Sequence, residues 1–548
     1  MRSASISPFR GLVLAAASGI LISLSFPNTG AWWLVFVALI PLLMVIHYGS
    51  PAPGAHGPAD RVSRWAPWIT GIVAAVFVFH WITRIPTHAM TQPWLIWPAL
   101  LLLGLYLGLY VALFGWIVRI VRRRLGISVF LVAPVAWSAS EWLKSSGELG
   151  CPWGNLGTVL AGHPAWVQWA SVVGTQGLTL WIVAVNALVA ASLVKFASRR
   201  LVEGALRLAL GVAILALPPL WGADRLRDAV RAAAASPVAF QPIARVALIQ
   251  PNIPSDEKWN PAHQDSVVEV LYRLTHEAAA ADTAGLDLVI WPETALPFYV
   301  RLEPVKLRRL LDTAKEIRTP ILAAYPDARL SSSGDVTTHN AAGLVSRAGS
   351  ISGQYEKIHL VPFGERIPFQ SLFPFLGRFD LGQAEWTPGT DPLVFEGAGP
   401  SFGVLICFES IFPGDARRYR LGGAQYLVNI TNDEWFGKSA GPVQHADLAV
   451  LRSVELGIGL VRAANTGISM IVDPYGRVTE ATGLFEQRIV IGDVPAPLPP
   501  TTYAQWGDWT TLLSVVLVVV LLVAAWFRPV GRRSEPLAVL KSPPASPG

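Results

Sequence analysis

A polytopic α-helical membrane domain of about eight spans, joined to one extracytoplasmic α/β domain, is the fold class the sequence predicts, and three observations lead there. Of the 548 residues, 52% are hydrophobic and only 15% charged, against roughly 25% charged in soluble domains, and the mean hydropathy is +0.44. Apolar stretches of spanning length recur up to residue 222 and once more near the C-terminus. Between them, residues 224–505 return to the composition of a soluble α/β protein and are numerous enough to form their own core.

A helix needs roughly 17 to 25 apolar residues to cross a ~30 Å hydrocarbon core. Segments near 10–26, 31–48, 66–87, 94–118, 127–143, 166–194, 205–222 and 508–527 meet that requirement. The first follows Arg2 and Arg10 in the manner of a signal peptide. Phe26-Pro27-Asn28 ends it without a small-x-small cleavage site and further spans follow, so it reads as an uncleaved helix. Basic residues gather in alternate gaps: Arg2 and Arg10; Arg61 and Arg64; Arg119 with Arg122, Arg123 and Arg124; Lys195, Arg199, Arg200 and Arg207; Arg528, Arg532 and Arg533. The other short gaps hold little beyond Arg84 and Lys144. The positive-inside rule then puts both termini in the cytoplasm and the α/β domain outside it. In a bacterium this is a multi-pass protein of the inner membrane with a periplasmic domain. The net charge of +6 follows from this distribution, and no nucleic-acid partner is expected.

The division expected is a transmembrane domain at 1–223 with spans one to seven, a periplasmic catalytic domain at 224–505, an eighth helix at 506–528 and a disordered cytoplasmic tail at 529–548. A Pro/Gly-rich linker at 49–60 lies within the first unit, and there is no internal repeat. Within the outer domain ARVALIQ (244–250), LDLVIWP (286–292), PILAAYP (320–326), NAAGLVS (340–346), SFGVLIC (401–407) and AQYLVNIT (424–431) are near-continuous apolar runs. Such runs suit strands buried on both faces. Helical spacing marks 261–281, 304–317 and 442–463, and the Gly/Ser content of GSISGQYEK (349–357) suggests a turn between strands.

Three stretches place a reactive side chain directly after an apolar run: WPETALP with Glu293, YEKIHLVPFGE with Lys357 and Glu365, and ICFES with Cys407 and Glu409. Sites collect at strand ends in α/β sheets. A thiol of ordinary pKa about 8.5 is a weak nucleophile at neutral pH without a base or a cation beside it. Glu293 can take the proton, Cys407 can attack an acyl carbon, and the Lys357 ammonium can stabilise the resulting oxyanion.

In that order these stretches resemble the Glu-Lys-Cys triad of the carbon-nitrogen hydrolase (nitrilase) superfamily. With seven spans before them and one after, the whole chain resembles the apolipoprotein N-acyltransferases. NIPSDEKW with Trp259 and NDEWFG with Trp435 and Phe436 match further family stretches. The resemblance implies a nitrilase-like αββα sandwich and a ping-pong acyl transfer. Cys407 takes a fatty acyl chain from a phospholipid as a thioester and passes it to the N-terminal α-amine of a diacylglyceryl-cysteine apolipoprotein. It also implies Glu293 as base, Lys357 as oxyanion partner, Glu365 and Glu409 as supporting acids, no cofactor, no metal and a monomer. Phe408 stands where the family commonly has tyrosine, which leaves an apolar packing role for that position.

IPFQSLFPFLGRFDLGQAEW (367–386) is rich in Phe and Leu yet broken by Pro and Gly. Two readings stand: a lid immersed in the bilayer, or ordinary core. Cys407 could instead pair with Cys151 in a disulfide, since both lie on the oxidising side. Glu141 and Lys144, three residues apart, are expected to pair on one helical face. His359 and His445 have no evident orienting partner and are expected to be structural. A membrane-tethered amidase for a small amide, and a transporter or scaffold without catalysis, are the competing functions. The apolar anchor argues against the first, and the intact triad against the second.

Overall fold

In the computed structural model, the residues described are 7–27, 29–49, 58–85, 93–235, 241–330, 334, 336–370, 372–378 and 384–528. The linker expected at 49–60 lies mostly outside them, the tail expected at 529–548 wholly so, and part of 367–386 as well.

The first half is helical: α1 (Pro8–Leu24), α2 (Ile40–Gly49) after a 3-10 turn at Trp32–Phe36, α3 (Pro58–Val78), α4 (Ile96–Leu125), α5 (Val129–Lys144), the short α6 (Pro164–Val167), α7 (Ala170–Ala197) and α8 (Leu201–Ala235). Among the described residues six stretches are long and apolar enough to cross a membrane: Trp32–Gly49, Val62–Arg84, Pro93–Leu125, Ala170–Ala197, Leu201–Ala235 and Trp509–Phe527. The shorter α1 is also apolar. Small residues let these helices approach closely. A Cβ on Gly71 of α3 would lie 2.7 Å from the Cα of Gly108 on α4. α8 runs past the expected residue 222 through Pro218 and Pro219. Leu206, Leu210, Leu217 and Leu220 leave it exposed and apolar, the surface of a helix that faces lipid.

The second half contributes β1 (Ala244–Gln250), α9 (Ser255–Lys258), α10 (Gln264–Ala281), β2 (Leu288–Ile290), α11 (Pro304–Glu316), β3 (Ile321–Leu330), β4 (Val336–Val345), β5 (Ile351–Glu356), β6 (Val394–Phe395), β7 (Phe402–Ile406), α12 (Pro413–Leu421), β8 (Tyr426–Thr431), α13 (Gly441–Leu456), β9 (Gly459–Ala464), β10 (Met470–Val472), β11 (Val478–Ala481) and β12 (Arg488–Val494). Helices α14 (Thr502–Trp506) and α15 (Trp509–Phe527) return the chain to the apolar bundle. The strands form two six-stranded sheets, β12-β1-β2-β3-β4-β5 and β11-β10-β9-β8-β7-β6.

Strand periodicity divides the core. Val246, Leu248, Leu288 and Ile290 face Val404, Val428 and Ile430 of the second sheet. Their neighbours Ala247, Ile249 and Val289 turn the other way, toward Leu271 and Leu274 of α10 and Leu310 of α11. Helix α13 is buried on both sides. Ala446, Ala449 and Val450 pack on the sheet, while Leu448, Leu451 and Val454 join the core of the helical bundle. That helix seats the α/β domain on the apolar half of the protein.

Two expectations need correction. Of 349–357, Gly349 and Ser350 do close the turn after β4, but 351–356 is strand β5, because pairing with β4 satisfies its backbone and outweighs weak local propensity. The helix expected over 442–463 stops at Leu456: Gly457 takes a left-handed conformation at φ 65°, the usual helix terminator, and the chain continues as β9.

Candidate active site

β2, β5 and β7 present Glu293, Lys357 and Cys407 at their C-terminal ends. Glu293 follows Trp291, whose indole is fully buried and donates to Thr275. Its Oε1 accepts from Asn340 Nδ2 at 2.8 Å and Lys357 Nζ at 3.2 Å, and its Oε2 accepts from Asn432 N at 2.9 Å. Lys357 is the first residue after β5 and is 1% exposed. Nζ also donates to Glu365 Oε1 at 2.8 Å. Glu365 is steadied by its own turn, with Val361 N donating to Oε2 at 2.8 Å, and Asn340 bridges the two carboxylates.

Cys407 ends the buried strand β7 on a sharp corner. Its φ of 51° lies in the left-handed region, costly for a side-chain-bearing residue and characteristic of functional sites. Two contacts hold the corner: the Cys407 carbonyl accepts from Ser410 Oγ at 3.0 Å and lies 3.1 Å from His445 Nε2. Glu409 joins the two halves of the site. Its Oε1 accepts from Tyr355 OH, Ile358 N and His359 N at 2.7, 2.6 and 3.1 Å, and its Oε2 from Ile406 N at 2.7 Å. The carboxyl thus locks the end of β5, and with it Lys357, to the end of β7. Burial pushes it up to about 7, against the pull of these donors.

Burial raises the Cys407 thiol well above its ordinary range; Glu293 adds to this and Lys357 opposes it. That direction favours the protonated thiol at rest, so any attack by this sulfur would need a base to take its proton. For Lys357 burial acts downward, but Glu293 and Glu365 outweigh it and hold the ammonium above the ordinary lysine value. The cation is permanent.

The remaining residues named from sequence divide in two. Phe408 is half-buried, packs against the core of the helical bundle, and meets Phe412 edge-on at 5.3 Å, an apolar contact that needs no hydroxyl. Phe436 joins an aromatic cluster with Trp81, Trp153 and His445. Trp259 and Trp435 are 42% and 45% exposed, on adjoining loops tied by Ser255 N donating to Glu434 Oε1 at 2.7 Å. In the segment 367–386, Phe369, Leu372, Phe373 and Phe375 are exposed, so these side chains are not core.

Cys151 and Cys407 are both free thiols, which removes the disulfide reading. Glu141 and Lys144 form no direct ion pair among the described residues. Glu141 accepts instead from Trp137 Nε1, Leu156 N and Thr179 Oγ1, and Lys144 donates to the Trp153 carbonyl at 3.4 Å. The histidines have partners the sequence did not reveal. His359 Nδ1 lies 2.6 Å from Asp415 Oδ2. His445 Nδ1 lies 2.9 Å from Asp433 Oδ1, and Asp433 Oδ2 accepts from Arg462 Nη2 at 2.7 Å. Donor atoms of Cys407, Asp433 and His445 lie within 4.8 Å of one another, a spacing that could suggest a metal. The Arg462 guanidinium, 3.1 Å from His445 Nδ1, already supplies the cation there, so the group does not fit one.

Residues 245–498 match the carbon-nitrogen hydrolase family, and residues 18–188 match the apolipoprotein N-acyltransferase N-terminal domain. The apolipoprotein N-acyltransferase of Geobacter metallireducens is 34% identical over 520 residues, covering 94% of this chain and 95% of its own. The chain belongs to the apolipoprotein N-acyltransferase family. The enzymes of Rhodopseudomonas palustris, 31% identical over 93% of this chain and 94% of theirs, and of Gloeobacter violaceus, 34% over 96% of both, agree. Among solved structures, an amidase of Nesterenkonia sp. AN1 from the nitrilase superfamily aligns at TM-score 0.36 and 20% identity, covering 48% of this chain and 94% of its own. Saccharomyces cerevisiae Nit3 aligns at TM-score 0.36 and 18% identity, covering 47% and 91%. The apolipoprotein N-acyltransferase assignment thus rests on near full-length sequence relatives, and the residues around Cys407 lie inside the carbon-nitrogen hydrolase match.

Proposed function

We propose that this protein transfers a fatty acyl chain from a membrane phospholipid to the N-terminal α-amine of a diacylglyceryl-cysteine apolipoprotein, through a thioester on Cys407. Its family membership makes it an N-acyltransferase of lipoprotein maturation. The finer reading is supported above all by one arrangement: a buried carboxylate, ammonium and thiol at three strand ends, in a domain whose α13 packs on the apolar bundle.

In the first half-reaction Glu293 takes the thiol proton as sulfur attacks the ester carbonyl of the phospholipid. The oxyanion develops toward Lys357, a permanent cation. The C–O bond then breaks, and the proton on Glu293 passes to the departing alkoxide, releasing lysophospholipid. In the second half the apolipoprotein amine attacks the thioester, Glu293 accepts its proton, the C–S bond breaks and the thiol is restored. A protonated resting thiol protects Cys407 between turnovers. Glu365 and Glu409 orient Lys357, Phe408 packs, and the exposed Trp259 and Trp435, with the half-buried Phe436, border the substrate path. In the stretch 367–386 read as a lid, the exposed Phe369, Leu372, Phe373 and Phe375 enter the bilayer and keep water from the thioester.

The same reading takes the apolar helices as eight spans at 1–223 and 506–528 of an inner-membrane protein with cytoplasmic termini, a periplasmic catalytic domain at 224–505 and a cytoplasmic tail at 529–548. The protein acts as a monomer.

The test incubates purified protein with phospholipid vesicles and analyses the peptide containing Cys407 by mass spectrometry. A hydroxylamine-labile fatty acyl adduct, absent in Cys407→Ala and discharged by a diacylglyceryl-cysteine peptide, is expected. Turnover of soluble amides without any adduct would overturn the reading.

A further inference from the structure

Outside the triad the site holds a second buried ammonium. Lys258, the last residue of α9, is 2% exposed. Its Nζ donates to the Glu293 carbonyl at 3.1 Å and to Thr294 Oγ1 at 2.8 Å. Thr294 has a φ of 46°, a left-handed conformation that a β-branched residue adopts only under constraint. The peptide after Glu293 is thus strained, and Lys258 pins it from both sides.

The clamp is itself anchored. Ile253 N donates to Asn465 Oδ1 at 3.0 Å, and Asn465 Nδ2 donates to the Ile253 carbonyl at 2.7 Å and to Asn432 Oδ1 at 3.1 Å. Asn432 N in turn donates to Glu293 Oε2. One ring of hydrogen bonds therefore fixes Glu293 by its carboxylate and by its backbone. Both hydrogen-bond acceptors of Lys258 are neutral, and the neighbouring charges are the carboxylates of Glu293 and Glu434. Burial lowers the ammonium to about 8, and the two carboxylates oppose the shift. Desolvating a cation for neutral acceptors stabilises less than an apolar side chain of equal volume would, so fold stability alone does not account for it.

We propose that Lys258 is a positioning residue for the general base: it holds the strained Glu293-Thr294 peptide so that the Glu293 carboxylate meets the Cys407 thiol. The proposal rests on the reading of Glu293 as base and Cys407 as nucleophile.

The test measures single-turnover acylation of Cys407 by mass spectrometry, using full-length protein in phospholipid vesicles. Lys258→Met should lower the maximal rate about 10- to 100-fold and leave the half-saturating phospholipid concentration unchanged. The isosteric Thr294→Val, which removes one acceptor but keeps the cation, should lose a smaller factor, again with half-saturation unchanged. A wild-type maximal rate in Lys258→Met, or a loss confined to half-saturation, overturns the proposal. If Lys258→Met does not fold, a wild-type rate in Thr294→Val does so. Absence of any adduct in the wild type overturns the underlying triad reading along with it, whereas a normal adduct with insensitive variants overturns only the role of Lys258.

Discussion

Lys357→Met removes a buried ammonium whose acceptors are both carboxylates. Nζ lies 2.8 Å from Glu365 Oε1 and 3.2 Å from Glu293 Oε1, with the same two oxygens bridged by Asn340. Without the cation, the Glu293 and Glu365 carboxylates lose the buried counter-charge they share. Loss of the proposed oxyanion partner costs roughly 10²- to 10³-fold in rate, or about 2.7–4 kcal/mol of transition-state stabilisation. Single-turnover acylation of Cys407 should therefore fall about 10²- to 10³-fold. A rate within tenfold of wild type would refute the action of Lys357 on the reacting carbonyl. The wild-type ammonium sits above the ordinary lysine value, so its contribution to stability is complete below that value and is lost only at higher pH.

Glu293→Gln removes a carboxylate that, after burial, holds the Cys407 thiol high; alkylation of Cys407 by a small neutral reagent should speed up at fixed pH while acylation falls about 10²-fold or more, and slower alkylation would contradict the assigned electrostatics. Burial acts to raise Asp433, but Arg462 and His445 outweigh it and hold the carboxyl well below its usual range. Its stabilisation is therefore present above the ordinary value of about 4 and lost as pH falls. Asp433→Asn should remove that acid-side loss from denaturation curves and lower neutral-pH stability by about 3–5 kcal/mol, because Arg462 is left buried and unpaired; an unchanged acid limb would refute this. Gly403→Ala puts a Cβ 2.3 Å from Tyr419 Cγ. Overpacking of about 1–3 kcal/mol is expected, read as a lower thermal midpoint, and an unchanged midpoint would show that Tyr419 yields freely.

Glu293, Lys357 and Cys407 were legible because each directly follows an apolar run, and strand ends are where a buried sheet meets a surface. Their helpers were not. Lys258 is 35 residues from the carbonyl it holds, and Asp433 is 29 from Arg462; nothing local distinguishes them from surface charges. His445 looked partnerless for the same reason. The Glu141–Lys144 expectation failed because helical spacing brings two side chains near each other but does not stop better donors, here Trp137, Leu156 and Thr179, from claiming the carboxylate. β5 was hidden because a strand's stability comes from its neighbour, which a single segment does not display.

By itself the sequence determined the division into apolar helices and a sheet-based domain, since hydropathy and strand-length apolar runs are local properties. It also singled out Glu293, Lys357 and Cys407 as the residues proposed here as base, cation and nucleophile. The tertiary structure alone decided that the thiol is buried, that Cys407 turns a left-handed corner, that Glu409 ties the end of β5 to the end of β7, and that Lys258 bonds the Glu293-Thr294 peptide. Those features depend on burial and on hydrogen bonds between distant residues, and both come into existence only when the two sheets close on each other and α13 closes on the bundle.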